Sequence, residues 1–218
     1  MIWDSWPWKK DLLQRAKRLE RRRSQKRWLE SSSFRTEQDV FFSAFGIRKL
    51  IEADKLSDEM ESIAFSVASY RAKGKAVHLR NWDRIEELYD LDMPELEQRL
   101  SLKDFCDQII HSFVFVLFFH ETGGLGGFLF ASDRAKQKRI YLLEIGSLIT
   151  ALTRIGQDDV VSSRSIRDAS GQWVSVEKLS PNQTKKMGLP IQLSQKQQAG
   201  LREYIKAMTK KDEERGAT

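Results

Sequence analysis

The run Ile109-Ile110-His111-Ser112-Phe113-Val114-Phe115-Val116-Leu117-Phe118-Phe119 constrains the fold more than any other segment. It is the longest apolar stretch of the chain, and its eleven residues are too few for a bilayer-spanning helix, which needs about 20. After His111 and Ser112 the period changes. Phe113 to Phe119 is an unbroken series of β-branched and aromatic residues, which reads as a buried strand. Gly123-Gly124-Leu125-Gly126-Gly127 then reads as a turn, and Phe128 to Ala131 as a second strand. A polar turn from Ser132 to Arg139 leads to a third, Ile140 to Glu144. This pattern predicts a three-stranded antiparallel meander, one face of which must be covered by the preceding helices.

Upstream, apolar residues recur at helical spacing. Within residues 9–30, Leu12, Ala16 and Leu19 give a short stripe, which yields to Arg21, Arg22, Arg23, Lys26 and Arg27 before Trp28. Ser31-Ser32-Ser33 reads as a break. Thr36, with Asp39 three residues on, reads as the cap of a second helix. Its broad apolar face is Val40, Phe41, Ala44, Phe45, Ile47, Leu50 and Ile51. Ser57 reads as the cap of a third helix, with the stripe Met60, Ile63, Ala64, Val67 and Tyr70 and a stop at Gly74. The turn between these two helices is short, so an antiparallel helical hairpin is expected. Asn81 to Leu91 reads as a short helix with Trp82, Ile85 and Leu88 inward, and Pro94 as the start of another through Leu96 and Leu100. Ser101 and Asp104 form a second capping pair ahead of Phe105, Ile109 and Ile110.

Beyond the strands, Ile145 to Ile155 returns to helical spacing and ends at Gly156. Val160 to Ile166 and Trp173 to Val176 read as a hairpin across Ala169-Ser170-Gly171. Gln195 to Met208 reads as a last amphipathic helix, followed by a disordered tail. The expected fold class is α+β: an N-terminal helical section to about residue 112, the meander, then C-terminal helices. The expected organisation is a basic, Trp-containing arm or helix at 1–30, a single α+β core at 31–180, and a basic helix with its tail at 181–218.

Charge is distributed unevenly. Residues 1–30 carry ten Lys/Arg against four Asp/Glu, and residues 181–218 carry eight against four, while the whole chain is only +6. Residues 31–180 are therefore mildly acidic between basic ends. Such ends either bind nucleic acid or another anionic surface, or fold back on the acidic centre. The lone Cys106 excludes an internal disulfide, and its neighbours place it as a small buried hydrophobe. Asp4 and Pro7 interrupt the apolar start, so no secretory signal is expected. The expected setting is the cytoplasm, without integral membrane association.

Three histidines bear on catalysis: His78, His111 and His120. His111 lies where helix hands over to strand, with Asp107 four residues before it on the same helical face. A carboxylate there can hold an imidazole tautomer and raise its pKa, although a purely structural junction histidine has the same pattern. No His-x-x-x-His spacing and no Cys pair occurs, so neither metal nor cofactor is expected. The glycine run lacks a following Lys-Ser/Thr, and no Ser lies in a Gly-x-Ser-x-Gly context. At the basic end, Trp3, Trp6 and Trp8 precede the cations and Trp28 closes them. That combination suits unpaired bases and phosphates, a membrane surface, or docking on the protein's own apolar surface. The candidate nucleic-acid-binding residues are Arg21, Arg22, Arg23, Lys26, Arg27 and Trp28.

Phe41-Phe42-Ser43-Ala44-Phe45-Gly46-Ile47-Arg48-Lys49-Leu50-Ile51-Glu52-Ala53 and Asp107-Gln108-Ile109-Ile110-His111-Ser112-Phe113 together resemble a scattered group of uncharacterised bacterial proteins, which brings no assigned activity. The expected helical hairpins and the Ile-Ile-His segment are also similar to HEPN-type domains, helical folds that include metal-independent ribonucleases. That likeness implies an Arg, four to six residues, then a catalytic His. Before His111 the required positions hold Asp104, Phe105 and Cys106, whereas Arg71 and His78 satisfy the spacing. The leading expectation is a non-enzymatic binding or regulatory protein whose partner is nucleic acid or protein. The alternatives are a HEPN-like ribonuclease using His111 with Asp107, or His78 with Arg71, and a subunit of a larger complex.

Overall fold

The computed structural model describes residues 2–167, 171 and 173–187. Five strands, β1 (Ala64–Arg71), β2 (Glu95–Ser101), β3 (Ser112–Phe119), β4 (Leu125–Ser132) and β5 (Arg139–Glu144), form one sheet in the order β2-β1-β5-β4-β3. Every neighbouring pair is antiparallel. The class is α+β, and the expected meander is present as β3-β4-β5. It is three-fifths of the sheet rather than the whole, because β1 and β2 add to the free edge of β5.

The two added strands correct the expected helices at 57–74 and 94–100. Ile63, Val67 and Tyr70 fit a helical stripe, but the same segment alternates. Phe65, Val67 and Ser69 are buried, while Ser66 between them is exposed. Phe65 has no place in the helical stripe. In β2, Leu96 and Leu100 are four apart, a spacing that shares a face in a strand as well as in a helix. Long-range pairing partners, absent from any local window, decide such ambiguous segments.

Six helices accompany the sheet within residues 2–180: α1 (Trp6–Arg23), α2 (Glu30–Glu52), α3 (Asp58–Glu61), α4 (Ile85–Leu88), α5 (Leu102–Ile110) and α6 (Ile145–Gln157). α5 begins as expected, with Ser101 Oγ accepting from the Asp104 backbone N–H at 3.1 Å. α2 begins earlier than expected, and the three serines lie inside it. Thr36 is not its cap: the Thr36 hydroxyl donates to the Ser32 carbonyl at 2.8 Å, the back-bond a helix-interior Thr makes. Ile85 and Leu88 are buried as expected, but Trp82 stays 37% exposed.

One core fills the space between α1, α2, α5, α6 and the sheet, built on Leu12, Leu19, Ile47, Leu50, Phe105, Phe128, Phe130 and Leu152. A smaller cluster covers part of the opposite face, with Val77, Ile85, Leu88 and Tyr89 packed on Val114, Ala131 and Ile140. Burial pushes the Tyr89 phenol up to about 12, and its hydroxyl donates to the Lys136 carbonyl at 2.8 Å.

α1 is part of this core and not an arm. Leu12, Ala16 and Leu19 are buried, as is Lys9 at 3% exposure. The Lys9 ammonium donates to the Asp158 carbonyl at 2.8 Å and lies 3.7 Å from the Asp158 carboxylate. That carboxylate accepts from Ser57 N at 2.9 Å and Ser57 Oγ at 2.7 Å. Arg15 and Arg18 both reach the Asp39 carboxylate, at 3.1 and 2.7 Å. Among the described residues, three of the ten cations in residues 1–30 are thus held by carboxylates of the body.

β6 (Ser162–Arg167) and β7 (Trp173–Leu179) pair antiparallel as the expected hairpin. Lys178 fastens it, bonding Asp54 at 3.2 Å and Glu61, while its backbone N–H donates to Asp58 at 3.0 Å. Residues 181–218 form a second compact unit. Its described part is α7 (Pro181–Lys186) and one further turn residue. The expected helix from Gln195 to Met208 and the expected disordered tail lie outside the described residues.

Because Leu19 is fully buried in α1, Leu19→Ala is expected to cost about 3 kcal/mol by cavity formation. Urea unfolding followed by circular dichroism measures this. A loss below about 0.5 kcal/mol, the size typical of surface substitutions, would mean that α1 is not docked.

Candidate functional site

Two clusters of candidate side chains form at opposite ends of β3. At its C-terminal end, Arg21, Arg22 and Arg23 close α1, and Lys26 and Arg27 follow in the loop to α2. Trp28 anchors that loop. Its indole N–H donates to the Gly123 carbonyl at 2.8 Å and to the Gln25 carbonyl at 3.1 Å. Its ring meets Phe119 edge-on at 4.7 Å, and the Arg22 guanidinium lies 5.8 Å from its centre.

The glycine run receives this loop. Gly123 has φ 89°, and a Cβ there would sit 3.1 Å from the Lys26 carbonyl. At Gly124 a Cβ would overlap the Arg23 carbonyl. The glycines therefore serve close approach as well as turning, a role that spacing alone did not reveal.

The cations of this end differ in their partners. Arg23 pairs with Glu20 at 3.1 Å on the surface, an i, i+3 contact of little strength. Arg22 bonds the neutral side chain of Gln25. Arg21, Lys26 and Arg27 are exposed and have no carboxylate partner among the described residues. The electropositive cluster expected from the sequence is thus real, but it stands on a docked helix. Trp28, half-buried and bonded, is its anchor.

At the other end of β3, a cavity of about 490 Å³ is lined by Arg48, Asp107, Gln108, His111, Ser132, Asp133 and Arg134. Asp107 and Gln108 come from α5, His111 caps its end, Arg48 comes from α2, and Ser132, Asp133 and Arg134 come from the end of β4 and its turn. Arg48 Nη1 donates to Asp107 at 2.7 Å and Arg48 Nε to Glu52 at 2.8 Å. The Glu52 bond, with Asp107 adding, holds the Arg48 guanidinium above its ordinary value. The His111 carbonyl accepts from Asp133 N at 3.0 Å, and Gln108 Oε1 accepts from Ser132 N at 3.2 Å, so the cavity wall is tied to the β4–β5 turn. The His111 ring is exposed and makes no hydrogen bond among the described residues. Asp107 therefore serves Arg48, and the expected Asp–His pair is not formed as a direct bond.

Arg71 and His78 do not share a helix. Arg71 ends β1, exposed, and pairs with Glu95 at 3.1 Å. His78 lies on the exposed loop that follows, its Nδ1 accepting from Arg80 N at 3.2 Å. His120 packs edge-on against Phe118 at 5.8 Å. Cys106 is buried, which pushes its thiol well above the usual range and leaves it a packing residue. Among the described residues no three His, Cys, Asp or Glu side chains are grouped to hold a metal ion. None of the described helices is long and apolar enough to cross a membrane.

Comparison with protein-family models, with curated proteins and with solved structures gives no match. The functional reading therefore rests on this chain's own geometry.

Glu52 reports on the tie around Arg48. Bonds from Lys49 and then Arg48 pull its carboxyl from 4.5 down to about 2. A depressed carboxylate contributes stability above its ordinary pKa and loses it as pH falls through the folded value. The Glu52 side-chain carbon, followed by NMR, is expected to titrate near pH 2 and to move back toward 4.5 in Lys49→Met. A midpoint at 4.5 in the unaltered protein would show that the tie does not persist in solution.

Proposed function

We propose that this chain is a non-enzymatic binding protein that contacts nucleic acid through the C-terminal end of α1 and the loop behind it. One observation carries the reading: Arg21, Lys26 and Arg27 stay exposed and without carboxylate partners, while Arg15, Arg18 and Lys9 of the same segment are neutralised internally. Self-docking accounts for one set of cations and leaves the other to external anions. Their mounting is rigid, since Trp28 and the glycine run fix the loop. A fixed cluster of cations holds a phosphate backbone by releasing its counterions, which makes the affinity steeply dependent on salt.

Point substitutions test this better than truncation, because removing residues 1–30 would also remove Leu12 and Leu19 from the core. The triple variant Arg21→Ala, Lys26→Ala, Arg27→Ala is expected to bind labelled RNA weakly. Its log K against log salt plot should be shallower by about 2, the loss of three contacts at ~0.7 each. Equal affinity and equal slope for the two proteins would end the proposal.

A second reading, RNA cleavage without metal, is favoured by the convergence of His111, Asp107 and Arg48 on one cavity. There His111 would take the proton of the attacking hydroxyl, while the guanidinium groups at the rim meet the phosphate. This reading expects unaltered protein to cut RNA in chelator and His111→Ala to lose that activity at unchanged thermal stability. Intact RNA after prolonged incubation with the unaltered protein would remove it.

A further inference from the structure

α2 is apolar on more than the side it buries. Val40, Ala44, Ile47 and Leu50 point into the core. Phe34, Phe42 and Phe45 lie on the outward side and are 57%, 52% and 44% exposed. Their spacings of eight and three residues place them along one outer band of the helix, while Phe41 packs against the core and Phe115. A solvated helix face normally carries charge, so a row of bare phenyl rings calls for a ligand.

The neighbouring helix says which kind. Trp8 meets Phe45 at 6.4 Å, and Arg15 and Arg18 reach Asp39, so α1 runs antiparallel beside α2. The phenylalanine row is thereby flanked by cations. The Arg15 guanidinium lies 5.2 Å from the centre of Phe42 and the Lys49 ammonium 5.7 Å from Phe45, although Arg15 also pairs with Asp11 and Asp39 and Lys49 with Glu52. Arg35, beside Phe34, is exposed and has no ionic partner among the described residues. Continuing the antiparallel register, the Arg21–Arg27 cluster stands at the Phe34 end of the row.

We propose that this face binds single-stranded nucleic acid, the bases stacking on Phe34, Phe42 and Phe45 while the phosphates meet Arg35 and the exposed cations of the Arg21–Arg27 cluster. The inference rests on the nucleic-acid reading above and deepens it. Flat rings alternating with cations match a ligand in which planar bases alternate with charged phosphates. A duplex hides its base faces and could use the cations alone. An anionic membrane fits less well, because sinking Phe42 and Phe45 into hydrocarbon would carry Arg15 and Lys49 with them, stripped of water.

The experiment uses the full chain, with fluorescence anisotropy on a labelled single-stranded RNA of about 12 nucleotides. A hairpin duplex of matched length and anionic phosphatidylserine vesicles are measured in parallel, and circular dichroism checks each variant. Tighter binding to the single strand than to the duplex is expected. Phe34→Ala and Phe34→Leu are each expected to weaken single-strand binding about tenfold, since stacking needs a π face and leucine has none. Phe34, the most exposed of the three, carries the least folding risk, and Phe42→Leu provides a second position. Equal affinity for single strand and duplex, or full rescue by Phe34→Leu, overturns the stacking inference and leaves the phosphate reading standing. Binding to neither nucleic acid, or to vesicles alone, overturns both.

Discussion

The buried ammonium of Lys9 holds the molecule's layers together. It joins three elements at one point: α1 through the lysine, the end of α6 through Asp158, and the start of α3 through Ser57. Burial lowers the Lys9 pKa by desolvation, and the adjoining Asp158 opposes that shift. An ion this deep needs a partner, and Lys9 has the Asp158 carbonyl and carboxylate, the latter held in turn by Ser57. With α1 fixed there, Leu12 and Leu19 fill the core and Asp39 aligns α2 alongside. The surface positions of the remaining cations and phenylalanines follow from that alignment.

Sequence patterns read the local parts of this architecture well. α5 was legible from its capping pair, α6 from its helical spacing, and β3 from its β-branched and aromatic run. β3 is not the buried strand expected, however: it lies at the sheet edge, only Val114 in it is buried, and Phe118 and Phe119 are exposed. β1 and β2 were not legible, because residues four apart share a face in helix and strand alike, and only the pairing of β1 with β5 and of β2 with β1 distinguishes them. For the cationic segment the sequence left docking and anion binding open together. Its many charges outweigh three apolar positions in any composition count, yet those three fix the helix to the core.

The candidate sites divide along the same line. Asp107 and His111 are one helical turn apart, so their shared neighbourhood could be read directly. Arg48, which claims the Asp107 carboxylate, lies 59 residues away and gives no local signal. The phenylalanines of α2 were visible as apolar residues, but a broad apolar face does not say which part of it meets water. Phe45 was counted with the core and is largely outside it. Of the glycine run expected as a turn, only Gly123 and Gly124 turn, since Leu125, Gly126 and Gly127 already belong to β4, and the fit against Arg23 and Lys26 depends on a segment nearly a hundred residues upstream.

The strand order carries a consequence for biosynthesis. β1 leaves the ribosome early, yet one of its two lateral neighbours is β5, whose Leu142 and Tyr141 pair with Ala68 and Ser69. Until that late segment emerges, Ala68 to Arg71 form an unfinished edge. Nascent chains halted before residue 139 would therefore expose a sticky half-sheet, the kind of intermediate that chaperones shield.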